Sequence, residues 1–267
     1  MNLIRRILKE QSSNFHLIIR LALYDVRSKY QMHYLGIVWQ VLNPATQVLL
    51  YWLVFGLGIR GGEPVNGVPF FAWLIVGLIP WFFISPSILQ GANSVYSRVS
   101  LVSKMKFPVS VLPTITIISN AFQFLIMLAV LGVIFVVYGI NPGWNLLQLP
   151  YYLFATFTFL FAFTLLASTI SAVIRDFQLV LQSVMRMMVY LLPILWDTSN
   201  LPHIFKTILE LNPIYYLIEG FRYSFLGYGW FYEDWLYTLY FWGITGVFLL
   251  VGSVLHMKFK HKFIDYL

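Results

Sequence analysis

Gln178, Gln182 and Arg186 recur every four residues along Phe177 to Trp196, a stretch that is otherwise apolar and long enough to cross a bilayer. Four-residue spacing sets all three on one helix face. A charged side chain near the bilayer centre costs about 2.5 to 3.5 kcal/mol on insertion scales, so it is usually turned toward a cavity, a partner or a pathway. A guanidinium there attracts phosphate by charge and by paired hydrogen bonds. The alternative is an arginine that snorkels to an interface or satisfies helix-end carbonyls inside a bundle.

A second polar stripe lies earlier, where Gln40, Asn43, Gln47 and Tyr51 follow three- and four-residue spacing beside Trp39, Trp52 and Phe55. Gln182, Arg186 and Tyr190 form the matching face. Sugars and polyol phosphates present hydroxyls and apolar C–H faces. Amide and aromatic side chains can contact both without one tight site that would stop a polymer from sliding. The competing reading is interhelical hydrogen bonding for the amides and ordinary packing for the rings.

The elements that must carry these stripes are membrane helices. Of 267 residues, 60% are hydrophobic and 10% charged, with mean hydropathy +0.77, which excludes a dissolved globular domain. Apolar runs predict crossings at Leu35–Ile59, Pro69–Gln90, Val109–Tyr138, Leu149–Ile174, Phe177–Trp196 and Trp235–Met257. The expected fold is an all-α polytopic membrane protein with six transmembrane helices per subunit. Residues 1–34 form a cytoplasmic interfacial region and 35–267 the transmembrane domain.

Basic residues fix the expected orientation. Arg5, Arg6, Lys9, Arg20, Arg27 and Lys29 precede the first crossing; Arg98, Lys104 and Lys106 follow the second; Arg175 follows the fourth; Lys258, Lys260 and Lys262 end the chain. All fall on one side. Arg60, Lys206 and Arg222 fall on the other, with Glu63, Glu210, Glu219, Glu233 and Asp234. Both termini are therefore expected in the cytoplasm. The net charge of +7 is mostly this topology signal, and dispersed basic residues do not make a nucleic-acid face.

Three segments lie outside the crossings. After Ser12-Ser13-Asn14, a candidate helix cap, Phe15, Ile19, Ala22, Val26 and Tyr30 recur at helical spacing opposite His16, Arg20, Tyr24 and Arg27. Such an amphipathic helix lies on the membrane surface, where Arg20, Arg27 and Lys29 can hold lipid phosphates or guide an anionic lipid-linked substrate, or serve as a plain anchor. The segment 94–106 carries Arg98, Val99, Leu101, Val102 and Lys104 as a short cytoplasmic helix. Arg175-Asp176 makes a tighter turn on the same side, and the two suit docking of a soluble partner or plain connection. On the outer side, 198–231 holds two short segments broken at Asn212-Pro213, neither long enough to span, as in a re-entrant helical hairpin.

Catalytic chemistry finds no support in the residue pattern. There is no cysteine, and His16, His33, His203, His256 and His261 are scattered, with no close carboxylate pair in a membrane helix, which disfavours an embedded transferase or hydrolase and a metal site. No G-x-x-x-x-G-K-[ST] loop is present to hold a nucleotide, and a scaffold would not need Arg186 on a polar stripe.

The run Tyr24-Asp25-Val26-Arg27-Ser28-Lys29-Tyr30, followed by Leu35-Gly36-Ile37-Val38-Trp39 and Leu42-Asn43-Pro44, resembles the opening of ABC-2 type polysaccharide exporter permeases. Four later blocks resemble the family in order: Gly77-Leu78-Ile79-Pro80-Trp81, Lys106-Phe107-Pro108 through Leu112-Pro113, Arg175-Asp176, and Asn212-Pro213 through Glu219-Gly220-Phe221-Arg222. Within the family the chain is most similar to the membrane subunit of wall teichoic acid exporters, with O-antigen and capsule permeases as near relatives. It departs at residues 30–34, where a more basic, glycine-containing run is expected.

The resemblance implies a homodimer in the bacterial cytoplasmic membrane, joined to two copies of a separate ATPase that binds ATP and magnesium, this chain holding no cofactor. It implies a lipid-linked anionic polymer as cargo, coupling helices on the cytoplasmic side and re-entrant helices outside. A small-molecule or drug exporter of the same topology is the alternative.

Overall fold

The computed structural model describes residues 3–30, 34–98, 107–198 and 201–260. These are almost wholly helical: α1 Leu3–Ser13, α2 Phe15–Tyr30, α3 Trp39–Tyr51 running on as a wider π-type turn over Trp52–Ile59, α4 Phe70–Ala92, α5 Leu112–Tyr138, α6 Leu149–Val173, α7 Asp176–Leu191, α8 His203–Glu210, α9 Pro213–Leu226 and α10 Trp235–Phe259. Among them, five stretches are long and apolar enough to cross a membrane: Trp39–Ile59, Phe70–Ala92, Val109–Tyr138, Gly143–Val173 and Trp235–Phe259.

The sixth expected crossing is a shorter helix. Pro193 pushes the residue before it out of helical geometry, and Leu192 is extended at φ −75° and ψ 156°. α7 therefore stops at Leu191 after 16 residues, about 24 Å at about 1.5 Å per residue, against a hydrocarbon core of about 30 Å. The chain from Leu192 to Leu195 then runs buried inside the bundle.

α4 is the central strut, buried along most of its length, whereas α3 and α10 expose most of theirs. α5, α6 and α9 pack around α4, and α10 packs along α6. Aromatic pairs fill these contacts, with Phe83 stacked on Phe124 at 4.5 Å and Phe124 meeting the edge of Phe221.

Several of the described basic residues gather at one end of the bundle. Lys260 of α10 approaches Glu10 of α1 at 3.8 Å, and Glu10 accepts from the Ser110 hydroxyl at 2.6 Å. The Gln11 amide donates to the Ser110 carbonyl at 2.8 Å, and Arg175 lies over the Tyr96 ring at 5.5 Å. Asn14 does not cap α2 with its side chain; its amide donates to Glu10 O at 2.8 Å and closes α1.

The inner face of α2 is rotated from the expected one. Ile18 and Ala22 are buried against Val95, Val111, Leu112, Ile115 and Ala172, while Phe15 is exposed. That rotation carries Asp25 and Lys29 inward. Asp25 pairs with Arg98, and the Lys29 ammonium donates to Asn120 at 3.2 Å and Gln90 at 3.4 Å. Burial of that ammonium lowers its pKa from the ordinary lysine value, with Asp25 opposing the shift.

Candidate functional site

Pro44 sits inside α3 and has no N–H to give the carbonyl of Gln40. Gln123 of α5 supplies the missing donor, its amide reaching Gln40 O at 3.1 Å. This repair ties α3 to α5 beside a groove of about 490 Å3 between α3 and α4. Asn43, Gln47 and Tyr51 line it, joined by Gln90, Gln123 and Trp81, whereas Gln40 is buried and does not. Pro86 in the opposite wall likewise removes the partner of the Phe82 carbonyl. The groove offers amide donors and acceptors beside aromatic faces, and among the described residues its lining bears no lysine, arginine or carboxylate. Replacing Gln123 with leucine leaves Gln40 O without its donor, and about 1 to 2 kcal/mol of stability is expected to go with it, read as a lower unfolding temperature of the purified protein.

The second stripe meets the first at its far end, where the Tyr51 and Tyr190 phenols interact directly. Gln182, Arg186 and Tyr190 share one exposed face of α7. Among the described residues the Arg186 guanidinium bonds within its own helix, Nε donating to Gln182 O at 3.4 Å and a terminal nitrogen to the Ser183 hydroxyl at 3.3 Å. Gln178 turns the other way, donating to Leu89 O at 3.0 Å. Trp39 is half-buried. Trp52 and Phe55 pack against the core, Trp52 edge-on to Phe71 at 5.8 Å, so they flank the groove without lining it.

At the basic end, Arg20 and Arg27 are exposed on α2, and Lys29 is engaged by Asn120 and Gln90. Arg98, expected to face solvent, instead bridges Asp25 of α2 and the Thr116 hydroxyl of α5 at 3.3 Å. Arg175 and Asp176 stay exposed in the α6–α7 turn. Val99, Leu101, Val102 and Lys104 lie outside the described residues. No three His, Asp or Glu side chains gather as a metal site among the described residues.

The most buried arginine is one that hydropathy assigns to the outer surface. Arg222 of α9 is 2% exposed. Its guanidinium lies 3.6 Å over the Trp73 ring, donates to Glu219 at 2.6 Å and reaches the Ile194 carbonyl at 3.4 Å. Gly77 of α4 makes the approach possible, since a Cβ there would stand 3.0 Å from the guanidinium. Glu219 on the other side faces a cavity of about 520 Å3 that also meets Asp197, Glu210, Glu233 and Asp234. A Glu three residues before an Arg on one short helix is the sequence signal that could have indicated the pair.

Residues 16–226, which take in both stripes, α4 and the buried pair on α9, match the family model described as ABC-2 type transporter. The chain belongs to the ABC-2 type transporter family. Among similar proteins, an O-antigen export system permease of Myxococcus xanthus is 29% identical over 219 residues, covering 81% of this chain and 83% of its own. A Klebsiella pneumoniae protein of the same description is 28% identical over 254 residues, 95% of each chain. An inner membrane transport permease of Escherichia coli K12 is 26% identical over 219 residues, covering 77% of this chain and 83% of its own. As an ABC-2 transporter chain with five membrane-length helices, the protein is a membrane transport subunit.

Proposed function

We propose that this chain is the permease subunit of an ATP-binding cassette exporter that moves a lipid-linked polysaccharide, a teichoic acid or a related polymer, across the bacterial cytoplasmic membrane. The observation that carries this reading is Arg186. It stands on an exposed face of α7 about 15 Å along the helix from its start, and among the described residues it is bonded only within its own helix. A guanidinium left toward lipid at that depth is costly. A second copy of the chain that packs against this face would enclose Arg186, Gln182 and Tyr190 together with the α3 groove as one corridor.

The groove chemistry favours hydroxyl-rich cargo, since amides, a freed carbonyl and aromatic faces match sugars, while Arg186 adds one site for phosphate. The export of O-antigen named for two relatives supports the polymer class. ATP and magnesium would be held by two copies of a separate ATPase, whose closure pushes on 94–106 and on the Arg175-Asp176 turn. In this reading the basic end is cytoplasmic, Leu192–Trp196 completes the sixth crossing, and α8 with α9 forms the outer re-entrant hairpin.

Arg186→Ala is expected to lower polymer flux about tenfold in vesicles holding the permease and its ATPase, with assembly intact, because about 1.4 kcal/mol of phosphate attraction is a factor of ten. Unchanged flux would reject the corridor. The chain has no cysteine, so topology can be read cleanly. A cysteine at Asn141 is expected to label from outside and one at Ser12 only after permeabilisation; the opposite pattern inverts the orientation.

A further inference from the structure

α1 runs alongside the last part of α10 in the same sense. Glu10 pairs with Lys260 at one end of the contact, and Leu3, Ile4 and Leu8 face Leu250 and Val254 at the other. Ile7 between them is fully buried. The two helices diverge enough to leave a groove of about 600 Å3, walled by apolar side chains, with Arg5 on its rim and Ser253 in its lining.

Ser253 is the informative residue. It is 0% exposed, and its hydroxyl has no hydrogen-bond partner among the described residues. Several buried hydroxyls settle onto a carbonyl of the preceding turn, as Thr164 does on Leu160, Thr169 on Leu165 and Ser224 on Gly220, whereas those of Ser94, Ser119, Thr245 and Ser253 find no partner among the described residues, and of these four Ser253 lines the groove. Ser253 makes no such bond. An unsatisfied buried donor costs about 1 to 3 kcal/mol, so a hydroxyl held this way next to a groove calls for an acceptor from outside the chain.

We propose that the α1–α10 groove binds one anionic phospholipid. Such a molecule presents, in order, acyl chains, ester carbonyls that only accept hydrogen bonds, and a negatively charged phosphate. The groove presents apolar walls, an unpartnered donor and a guanidinium. Arg5 is the cation on the groove, because Arg6 beside it is approached by Glu10 at 4.0 Å. The N-terminal helix is thus held to the bundle partly through lipid. This site is separate from the exposed basic face of α2 and does not depend on which polymer is exported.

The full-length purified chain, stripped of loosely bound lipid and challenged with phosphatidylglycerol, phosphatidylcholine and a polyprenyl phosphate, tests this by native mass spectrometry. One phosphatidylglycerol should remain per chain, preferred over phosphatidylcholine about fivefold, the ratio for about 1 kcal/mol per basic residue at an anionic surface. Ser253→Ala should weaken retention of both phospholipids about fivefold, as loss of one hydrogen bond does. Arg5→Gln should erase the headgroup preference and leave phosphatidylcholine retention unchanged. Equal retention of the two phospholipids by the unmodified chain overturns the proposal without any variant. So does unchanged retention in both variants, or displacement of phosphatidylglycerol by an equal concentration of polyprenyl phosphate.

Discussion

Gly220→Ala is expected to stop the bundle from assembling. A Cβ at this position would fall within the ring of Tyr152, and Tyr152 has nowhere to go. It is 1% exposed, packed at 5.1 Å against the Tyr151 ring and at 5.7 Å against Tyr216. Its backbone carbonyl is held by the Thr156 hydroxyl at 2.7 Å. Overpacking a well-filled core costs about 1 to 3 kcal/mol, more where neighbours cannot shift, and here more than about 3 kcal/mol is expected. The purified variant should aggregate or unfold well below the unmodified protein. Gly243→Ala, where a Cβ meets nothing within 4 Å, should behave like the unmodified chain. Shortening the ring in a Gly220→Ala, Tyr152→Leu double variant should recover part of the loss. An unaltered unfolding temperature for Gly220→Ala alone would mean that α9 does not pack on α6 in this way.

Arg222→Ala carries the second large effect. Removing one member of a buried ion pair leaves an uncompensated charge and typically costs about 3 to 5 kcal/mol. Glu219 keeps 19% of its side chain exposed toward the cavity, so a loss near the lower figure is expected. Arg222→Lys should lose about 1 to 2 kcal/mol. An ammonium cannot pair with Glu219, reach Ile194 O and lie flat on Trp73 at once, as the planar fork does. Replacing both partners, Arg222→Met with Glu219→Gln, should restore much of the stability, because neither charge then remains buried alone. Thermal unfolding of the four proteins orders them. A lysine variant as poor as the alanine variant would show that stacking and the carbonyl contact matter more than charge.

The helical plan was readable because membrane helices announce themselves in one dimension. Apolar length placed all five of the membrane-length stretches, with ends displaced by a few residues. Gln178, however, was placed with Arg186 by spacing alone, and a neighbouring backbone carbonyl, Leu89 O, draws it the other way. The same limit hid the roles of Asp25, Lys29 and Arg98. Each looks like a surface charge when counted along the chain, yet each has a partner 61 to 91 residues away. Arg222 was hidden for a related reason, since its burial depends on Trp73 and on the missing side chain at Gly77, both on another helix. Pro44 was visible as a residue, but the amide that repairs its broken bond was not. Hydropathy records what a side chain prefers on average, and pairing across helices decides where an individual charge can rest.

The clamp on Arg222 also constrains how the protein can move. One guanidinium joins α9, the stretch around Ile194 and the first turns of α4, so separating any two of them strands a charge in a poorly hydrated interior. α8 has no buried residue. α9 is thus the fixed post of this end of the bundle, and even the turn that leads into it is pinned, by the Tyr240 hydroxyl on Leu211 O at 2.7 Å and the Asn212 amide on the Met188 sulfur at 3.1 Å.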